Sequence, residues 1–361
     1  MAILSDPIFC NDINKVASLD IPWDMLKNKS ILISGATGLV GSFLIDVIMQ
    51  RNIVYDMQCC IYALGRNEKR SQIRFNRFWN NPYFNFIQCD VNTALNIKCI
   101  DKVDYAIHLA SNTHPLAYAT DPIGTIITNI IGTKNMLDFS FTHAIKRFAF
   151  ASSNEIYGEN RGDVEKFSEE YCGYIDCNTM RAGYPESKRC GEALCQAYIK
   201  QKNMDIVIPR LTRSYGPTMI MNDSKVISQF IRKAIAGEDI VLKSDGHQYY
   251  SFTYVADAVS GLLMVLLKGK CGEAYNIADE KSDIMLKNLA KIIANKCGSN
   301  VVFDLPDAIE REGYSKATKA RLDSNKLNKL GWNALYSIDE GIDNTINILK
   351  NYITMRNKYD T

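Results

Sequence analysis

A chain of 361 residues, 47% hydrophobic and 23% charged, is long enough for one large or two medium globular domains. Because 42 lysines and arginines are balanced by 40 acids, no strong field would attract nucleic acid or an anionic membrane, and we expect a small-molecule partner. The first residues lack a basic region followed by an apolar stretch, and no run reaches the ~18 apolar residues of a membrane span, so we expect a cytoplasmic protein.

The cysteines and histidines do not indicate a metal centre. Eleven cysteines occur singly or at spacings such as Cys59-Cys60 and Cys190/Cys195, without a Cys-x-x-Cys pair, and the chain has four histidines. Neither a zinc site nor a disulfide framework is predicted.

The first predicted elements are a short helix and a strand. Phe9, Ile13 and Val16, within residues 1–29, have helical spacing, which predicts a short helix packed on the outside of the fold. From residue 31 the chain reads Ile-Leu-Ile-Ser-Gly-Ala-Thr-Gly-Leu-Val-Gly, and apolar residues then resume at helical spacing. This order predicts a strand, a tight loop and a helix.

The glycine loop predicts a dinucleotide site. Gly35 can adopt a turn that other residues avoid, Gly38 lets the backbone approach a ligand, and Gly41 lets the helix pack close to the strand. The free amides and the dipole at the helix start favour a pyrophosphate there. We therefore expect the cofactor to contact Gly35, Thr37, Gly38, Leu39, Val40 and Gly41.

Further apolar runs of strand length alternate with helical patterns, at 58–64, 84–89, 103–109, 147–151 and 205–211. Repeated βαβ units force a parallel sheet, so the predicted fold class is α/β, a Rossmann-type doubly wound parallel sheet. Ligands of such sheets bind beyond the carboxyl ends of the strands. The cofactor contacts predicted there are Arg66, Asp90, Val91, Leu109, Ala110 and Ser111.

The alternation becomes irregular after about residue 217, which predicts a second, smaller lobe. Residues 1–29 form an N-terminal extension in this interpretation, and residues 30–216 plus about 252–278 form the dinucleotide-binding domain. The smaller, substrate-binding lobe comprises about 217–251 and 279–361.

Four polar residues predict the chemistry. Tyr184 and Lys188 are four apart at a predicted helix start, which puts both side chains on one face. An ammonium lowers the pKa of a nearby phenol and can hold a cofactor ribose, so Tyr184 would act as a base near neutral pH. Ser153 would share the hydrogen bond of the same substrate hydroxyl, and Glu155 would reach another carbon as an acid or base. The alternatives are a solvated helix face, a turn serine and a loop salt bridge.

Together the glycine spacing, Ser153, Tyr184 and Lys188 resemble the extended short-chain dehydrogenases that act on nucleotide sugars, over roughly residues 30–350. Within that group the sequence resembles the UDP-glucuronate decarboxylases that make UDP-xylose. The stretches that carry the resemblance are His108-Leu109-Ala110-Ser111 with Tyr118 and Asp121-Pro122-Ile123, residues 153–158, residues 181–189, Gly216-Pro217 with residues 221–227, and Leu330-Gly331-Trp332.

The resemblance implies an NAD-dependent enzyme that transiently oxidises a sugar hydroxyl, at C4, of a nucleotide sugar. Ser153, Glu155, Tyr184 and Lys188 would be catalytic. Asn129, Tyr184 and Lys188 would contact NAD, and the helices that contain Asn129 and Tyr184 would build a homodimer. The implied substrate contacts are Tyr118, Asn154, Arg213, Asn222, Lys225, Tyr250 and Arg321.

Several positions depart from the pattern of these relatives. The 4,6-dehydratases carry an acid where Asn154 stands, which argues against a standard dehydratase. Most relatives have asparagine at the position of Arg213. At the position of Tyr250 they have an arginine that binds the diphosphate, so Arg213 would take over that role here. Decarboxylases carry an arginine where Ala320 stands, and Arg321 is then a shifted candidate.

The sequence leaves an alternative open for the cofactor and alternatives open for the reaction. Arg66 stands where relatives have an acid that binds the adenosine ribose, and it would tolerate a 2′-phosphate, so NADP is the alternative to NAD. The predicted reaction is decarboxylation of UDP-glucuronate, with 4,6-dehydration of an NDP-hexose and 4-epimerisation of a nucleotide sugar as alternatives. The competing class is a non-catalytic dinucleotide-binding protein, which would have no reason to keep Ser153, Tyr184 and Lys188 together.

Overall fold

The computed structural model describes residues 2–97, 100, 102–113, 118, 120–219, 223–304 and 318–359. The strands are β1 Ser30–Ser34, β2 Cys60–Gly65, β3 Phe84–Gln88, β4 Tyr105–His108, β5 Arg147–Phe150, β6 Ser152–Ser153, β7 Ile206–Leu211, β8 Arg213–Tyr215, β9 Ile240–Leu242, β10 Tyr249–Tyr254, β11 Ala274–Ile277, β12 Asp283–Met285, β13 Val301–Phe303 and β14 Lys319–Ala320. The helices are α1 Pro7–Ala17, α2 Leu39–Tyr55, α3 Glu68–Phe75, α4 Pro122–Ile127, α5 Thr133–Thr142, α6 Gly183–Lys202, α7 Val226–Ile235, α8 Val255–Lys268, α9 Leu286–Cys297, α10 Asn325–Asn328 and α11 Ile338–Tyr359.

The main sheet is parallel and has the order β11-β7-β5-β4-β1-β2-β3, with β6 alongside β7. All five residues of β1 are buried, as expected for a parallel strand covered by helices on both faces. The strand order changes direction between β1 and β4, which is where open sheets of this kind hold their ligands. The predicted Rossmann-type fold is confirmed.

Two smaller sheets lie after β7 in the chain. The strand β10 pairs with β8, β12 and β14, and β9 pairs with β13. The two ends of the predicted dinucleotide-binding segment 252–278 therefore belong to different sheets, because β10 lies in a smaller sheet and β11 in the main one. The division into two domains stays a prediction. Among the described helices, none combines the length and apolar character needed to cross a membrane.

The predicted N-terminal helix is α1, and it packs more deeply than an external helix would. Phe9, Ile13 and Val16 are buried in the large core. Asp12 is fully buried, and its carboxylate accepts hydrogen bonds from the Tyr254 hydroxyl at 2.5 Å, the Tyr336 hydroxyl at 2.5 Å and Asn344 Nδ2 at 3.0 Å. Burial raises the pKa of Asp12 despite these donors. The extension is therefore bonded to β10 and to the C-terminal segment.

Candidate active site

A cavity of about 610 Å³ opens at the carboxyl ends of the central strands. It is lined by segments that are far apart in sequence and that meet because parallel strands end at the same edge of the sheet. Most of the predicted site residues line it, namely Gly35, Thr37, Gly38, Leu39, Val40, Gly41, Arg66, Asp90, Val91, Leu109, Ala110, Ser111, Tyr118, Ser153, Asn154, Glu155, Tyr184, Lys188, Arg213, Lys225 and Tyr250. Asn129 and Arg321 do not line it, and Asn222 lies outside the described residues.

The glycine loop has the geometry that its sequence predicts. Gly35 has φ +68°, and a Cβ there would lie 2.7 Å from the Leu109 carbonyl carbon. A Cβ on Gly41 would lie 2.5 Å from the Gly35 oxygen. Gly38 precedes α2, and no described side chain caps that helix, so its first amides are available to an anion.

A buried polar pair supports the floor of this cavity. The Ser34 hydroxyl lies 2.7 Å from His108 Nδ1 and accepts from the amides of Leu109 at 3.2 Å and Ala110 at 3.3 Å. Burial lowers the pKa of His108 to about 3, so its ring is neutral at pH 7. The pair fixes the loop after β4 against the end of β1.

Asn129 lies one layer behind the cavity wall. It belongs to a π-helical turn, Thr128–Gly132, between α4 and α5, and it is fully buried. Its Oδ1 accepts from the Ser111 hydroxyl at 2.7 Å, and its Nδ2 donates to the Ser187 hydroxyl at 2.9 Å. Direct contact of Asn129 with the cofactor stays a prediction, and in the structure both ends of its amide join Ser111 to α6.

The end of the cavity near β2 carries a basic residue that the sequence analysis missed. Arg66 follows β2, and Arg70 lies four residues later on α3. Both line the cavity together with Asp90 after β3. Its position in the first turn of the helix that follows β2 could have indicated Arg70.

The opposite end brings together Ser153, Tyr184 and Lys188. Ser153 ends β6, and the other two share one face of α6 and are buried. Lys188 Nζ donates to the Ala151 carbonyl oxygen at 2.8 Å. The Tyr184 ring stacks on the Tyr118 ring with centroids 4.8 Å apart. This arrangement holds a phenol, a hydroxyl and an ammonium around one space.

The pKa of Tyr184 is raised in the structure, whereas the sequence predicted that it would be lowered. Burial and the charge of Glu155 raise the pKa of Tyr184, and they outweigh the hydrogen bond with Ser153 and the charge of Arg181, which lower it. Burial also lowers the pKa of Lys188 to about 8, so its ammonium is still charged at pH 7. Lys188 alone therefore does not make Tyr184 a phenolate in the free protein.

Arg181 is a second residue that the sequence analysis did not place at the site. Its Nη2 atom lies 3.2 Å from both carboxylate oxygens of Glu155. Its guanidinium carbon lies 4.8 Å from the centre of the Tyr118 ring, which in turn stacks on Tyr184. Arg181 therefore pairs with Glu155 and orients its carboxylate. No periodic pattern marks Arg181, because it lies in a single 3₁₀ turn before α6.

Two other arginines differ in their position relative to the cavity. The Arg213 guanidinium carbon lies 3.8 Å from the centre of the Tyr250 ring, and both residues line the cavity. Arg321 instead lies 4.5 Å from the Tyr249 ring centre, with Nη2 4.0 Å from a Glu165 oxygen. Contact of Arg321 with the substrate stays a prediction, and in the structure Arg321 does not line the cavity.

Strand alternation explains the position of Arg321. Ala320 pairs in register with Tyr250, so these two residues share the face toward the cavity, whereas Arg321 follows the face of Tyr249.

Comparison with known proteins identifies the family. A sequence profile of the NAD dependent epimerase/dehydratase family matches residues 31–278. A UDP-glucuronic acid decarboxylase 1 of Xenopus tropicalis is 32% identical over 89% of this chain and 72% of its own length. The chain belongs to the NAD dependent epimerase/dehydratase family. The prediction of an enzyme of this family is confirmed, and so is NAD as its cofactor at the level of the family.

Two solved structures have a similar fold. One is a UDP-glucuronic acid 4-epimerase of Bacillus cereus in complex with UDP-glucuronic acid and NAD, with a TM-score of 0.75 and 21% identity over 90% of this chain and 99% of that one. The other is a dTDP-glucose 4,6-dehydratase of Streptomyces venezuelae, with a TM-score of 0.76 and 21% identity over 91% of this chain and 98% of that one.

The residues present fit NAD. The missing Cβ of Gly35 leaves the close turn open, and the uncapped start of α2 offers amides to a pyrophosphate. Asp90 and Arg66 lie where parallel strands end beside the loop. Tyr184 and Lys188 lie at the other end of the same cavity, as a reaction at the nicotinamide requires.

Proposed function

We propose that the chain is a UDP-glucuronate decarboxylase that oxidises the sugar at C4 and then removes its carboxyl group as CO₂. The convergence of Ser153, Tyr184 and Lys188 at one end of a dinucleotide cavity carries this proposal. The relative from Xenopus tropicalis bears the name of this activity and aligns with most of the chain.

Oxidation is the first step. Tyr184 Oη removes the proton of the C4 hydroxyl, Ser153 hydrogen-bonds to the same oxygen, and the hydrogen on C4 leaves as a hydride. NAD, when bound, accepts a hydride and supplies the positive charge of its oxidised ring. Burial keeps Tyr184 protonated in the free protein, so its pKa would have to fall for the reaction, and the positive charges of Lys188 and of the bound cofactor would act in that direction.

Decarboxylation follows from the chemistry of the ketone. A 4-keto sugar with a carboxylate on C5 is a β-keto acid, so the bond from C5 to the carboxyl carbon breaks and its electron pair enters the C4 carbonyl as an enolate. A proton from solvent, delivered by a water that Glu155 orients, adds to C5 in place of the lost carboxyl group. The ketone then regains the hydrogen at C4, and Tyr184 returns its proton to the oxygen.

Asn154 favours this outcome over dehydration. It lines the cavity between Ser153 and Glu155, and an amide cannot donate a proton to a departing hydroxide as a carboxylic acid does. The experiment is to incubate the enzyme with UDP-glucuronate, dTDP-glucose and UDP-glucose separately and to measure product masses. We expect UDP-glucuronate to lose about 44 mass units, the mass of CO₂. Loss of water from a neutral hexose would assign dehydration instead, and unchanged mass with inversion at C4 would assign epimerisation.

The same proposal includes a homodimer. Ile123, Ile127 and Ile131 are spaced by four along the continuous helical segment that contains Asn129, and their exposed fractions are 75%, 40% and 37%. An apolar stripe of this kind on a helix is covered when it packs against its own copy.

A charge placed in this stripe should break the dimer. We expect wild-type protein to sediment at twice the 40.7 kDa chain mass and Ile127→Glu to sediment as a monomer. Ile73→Glu is the matched control, because Ile73 is 70% exposed on α3, away from the stripe. A wild-type monomer at micromolar concentration would refute the dimer.

A further inference from the structure

Arg213 is a partly buried cation with unused hydrogen-bonding capacity. Its Nη1 atom is shielded from solvent and has no hydrogen-bond partner among the described residues. The guanidinium carbon lies 3.8 Å from the centre of the Tyr250 ring. Such a cation–π contact helps to hold the guanidinium in place and leaves N–H groups available for hydrogen bonding.

Other cations at this end of the cavity already have partners. Arg181 pairs with Glu155 at 3.2 Å, and Lys225 Nζ lies 3.0 Å from Asp223 Oδ2. Lys188 donates to a backbone carbonyl oxygen. Across the described part of the chain, by contrast, no carboxylate forms an ion pair with Arg213, whose pKa burial lowers. An unpaired buried charge is unfavourable, and an anion that enters the cavity removes that penalty.

The position of Arg213 indicates which part of a ligand it meets. The charges that act on it belong to Tyr250, Glu155 and Arg181. Glu155 and Arg181 are the groups beside Tyr184, where the sugar reacts, whereas Arg66 and Arg70 lie near the end of β2. Arg213 therefore faces the sugar end of the substrate.

We propose that Arg213, held against Tyr250, receives the carboxylate of the sugar through paired N–H···O bonds and so selects sugar acids. This inference rests on the proposed function and deepens it by naming the group that recognises the substrate. The planar guanidinium matches the two oxygens of a carboxylate. A diphosphate offers the same anionic oxygens, so the experiment must separate the two sources.

The test measures equilibrium binding without turnover. UDP-glucuronate, UDP-glucose and UDP are titrated calorimetrically into Tyr184→Phe protein and into the double variant Tyr184→Phe/Arg213→Gln. We expect Arg213→Gln to raise the Kd of UDP-glucuronate about 100-fold, as for a lost charge-assisted hydrogen-bond pair, and to raise the others less than about 3-fold. Arg213→Lys should give an intermediate loss, because it keeps the charge without the fork.

Arg161→Gln is the matched control. Arg161 is also placed over a tyrosine ring, with its guanidinium carbon 4.0 Å from the centre of the Tyr174 ring, but outside the cavity, so this variant should leave all three Kd values unchanged. An equal loss of UDP-glucuronate and UDP binding in Arg213→Gln would assign Arg213 to the diphosphate and overturn the proposal. Unchanged binding of every ligand would overturn it as well.

The thermal unfolding midpoint and the bound NAD of each variant show whether it is folded. If Arg213→Gln does not fold, Arg213→Lys carries the test through the ratio of its two Kd changes. The proposed function fails separately, because it depends on the loss of CO₂ by the wild-type enzyme. Decarboxylation without any dependence of binding on Arg213 would leave the function standing and refute this inference alone.

Discussion

Tyr184→Phe should lower kcat with UDP-glucuronate about 100-fold or more, the usual effect of losing a general acid or base. The phenyl ring keeps its stack on Tyr118, at 4.8 Å between centroids, so the cavity wall stays in place. Only the hydroxyl that removes the C4 proton is missing. The measurement is CO₂ release under saturating substrate, with the Kd for UDP-glucuronate determined in parallel.

Removal of a different tyrosine hydroxyl, outside the cavity, distinguishes loss of the base from a general loss of stability. Tyr171→Phe deletes a hydroxyl that bonds to Asp163 outside the cavity, at 3.1 Å, and should keep full activity. If Tyr184→Phe retained near-normal kcat, Tyr184 would not be the base and the proposed mechanism would be wrong.

Gly35→Ala should yield protein without bound NAD and without activity. The added Cβ would lie 2.7 Å from the Leu109 carbonyl carbon and 2.8 Å from the Ala110 amide nitrogen, both backbone atoms that cannot rotate away. The loops after β1 and β4 must then separate, and these loops form the floor beneath the cofactor. The measurement is the NAD released from purified protein by denaturation, together with the Kd for added NAD.

Gly298→Ala is the control for backbone strain. Gly298 has φ +73°, close to the +68° of Gly35, but a Cβ there meets nothing within 4 Å. Both substitutions therefore carry the cost of a left-handed alanine, about 1 kcal/mol, and only Gly35→Ala adds the collision. Equal NAD content in the two variants would contradict the assignment of the glycine loop to the cofactor.

Most strands of the main sheet are predicted well because each strand is encoded by a short, continuous stretch of sequence. The apolar run 84–89 became β3 Phe84–Gln88, and the run 205–211 became β7 Ile206–Leu211. Buried parallel strands are continuous apolar runs between helical patterns, so six of the eight strands of the main sheet can be placed without long-range information, whereas β6 and β11 are not among the predicted runs. The glycine loop is equally local, since three glycines at fixed spacing define one turn.

The position of a side chain in an irregular segment depends on residues that are far away in the sequence. Arg321 misses the cavity because β14 pairs with β10 in a particular register, which no motif near Arg321 encodes. Arg181 reaches Glu155 through a turn without periodicity. The pKa of Tyr184 depends on total burial and on Glu155, so the spacing of four to Lys188 predicts its neighbour but not its net shift.

The hydrogen bonds of α1 affect the order in which the chain folds during its synthesis. Asp12 is near the beginning of the chain, but its donors are Tyr254, Tyr336 and Asn344, and Asp6 accepts from Asn351 at 2.9 Å. None of these donors has been synthesised when α1 leaves the ribosome. α1 can pack on α2 early, as the contact of Phe9 with Phe43 shows, but the hydrogen bonds that satisfy Asp12 form late because they join the most distant parts of the sequence. Until then the Asp12 carboxylate lacks the donors that it has in the folded protein, so the nascent chain depends on segments made late to complete the surroundings of α1.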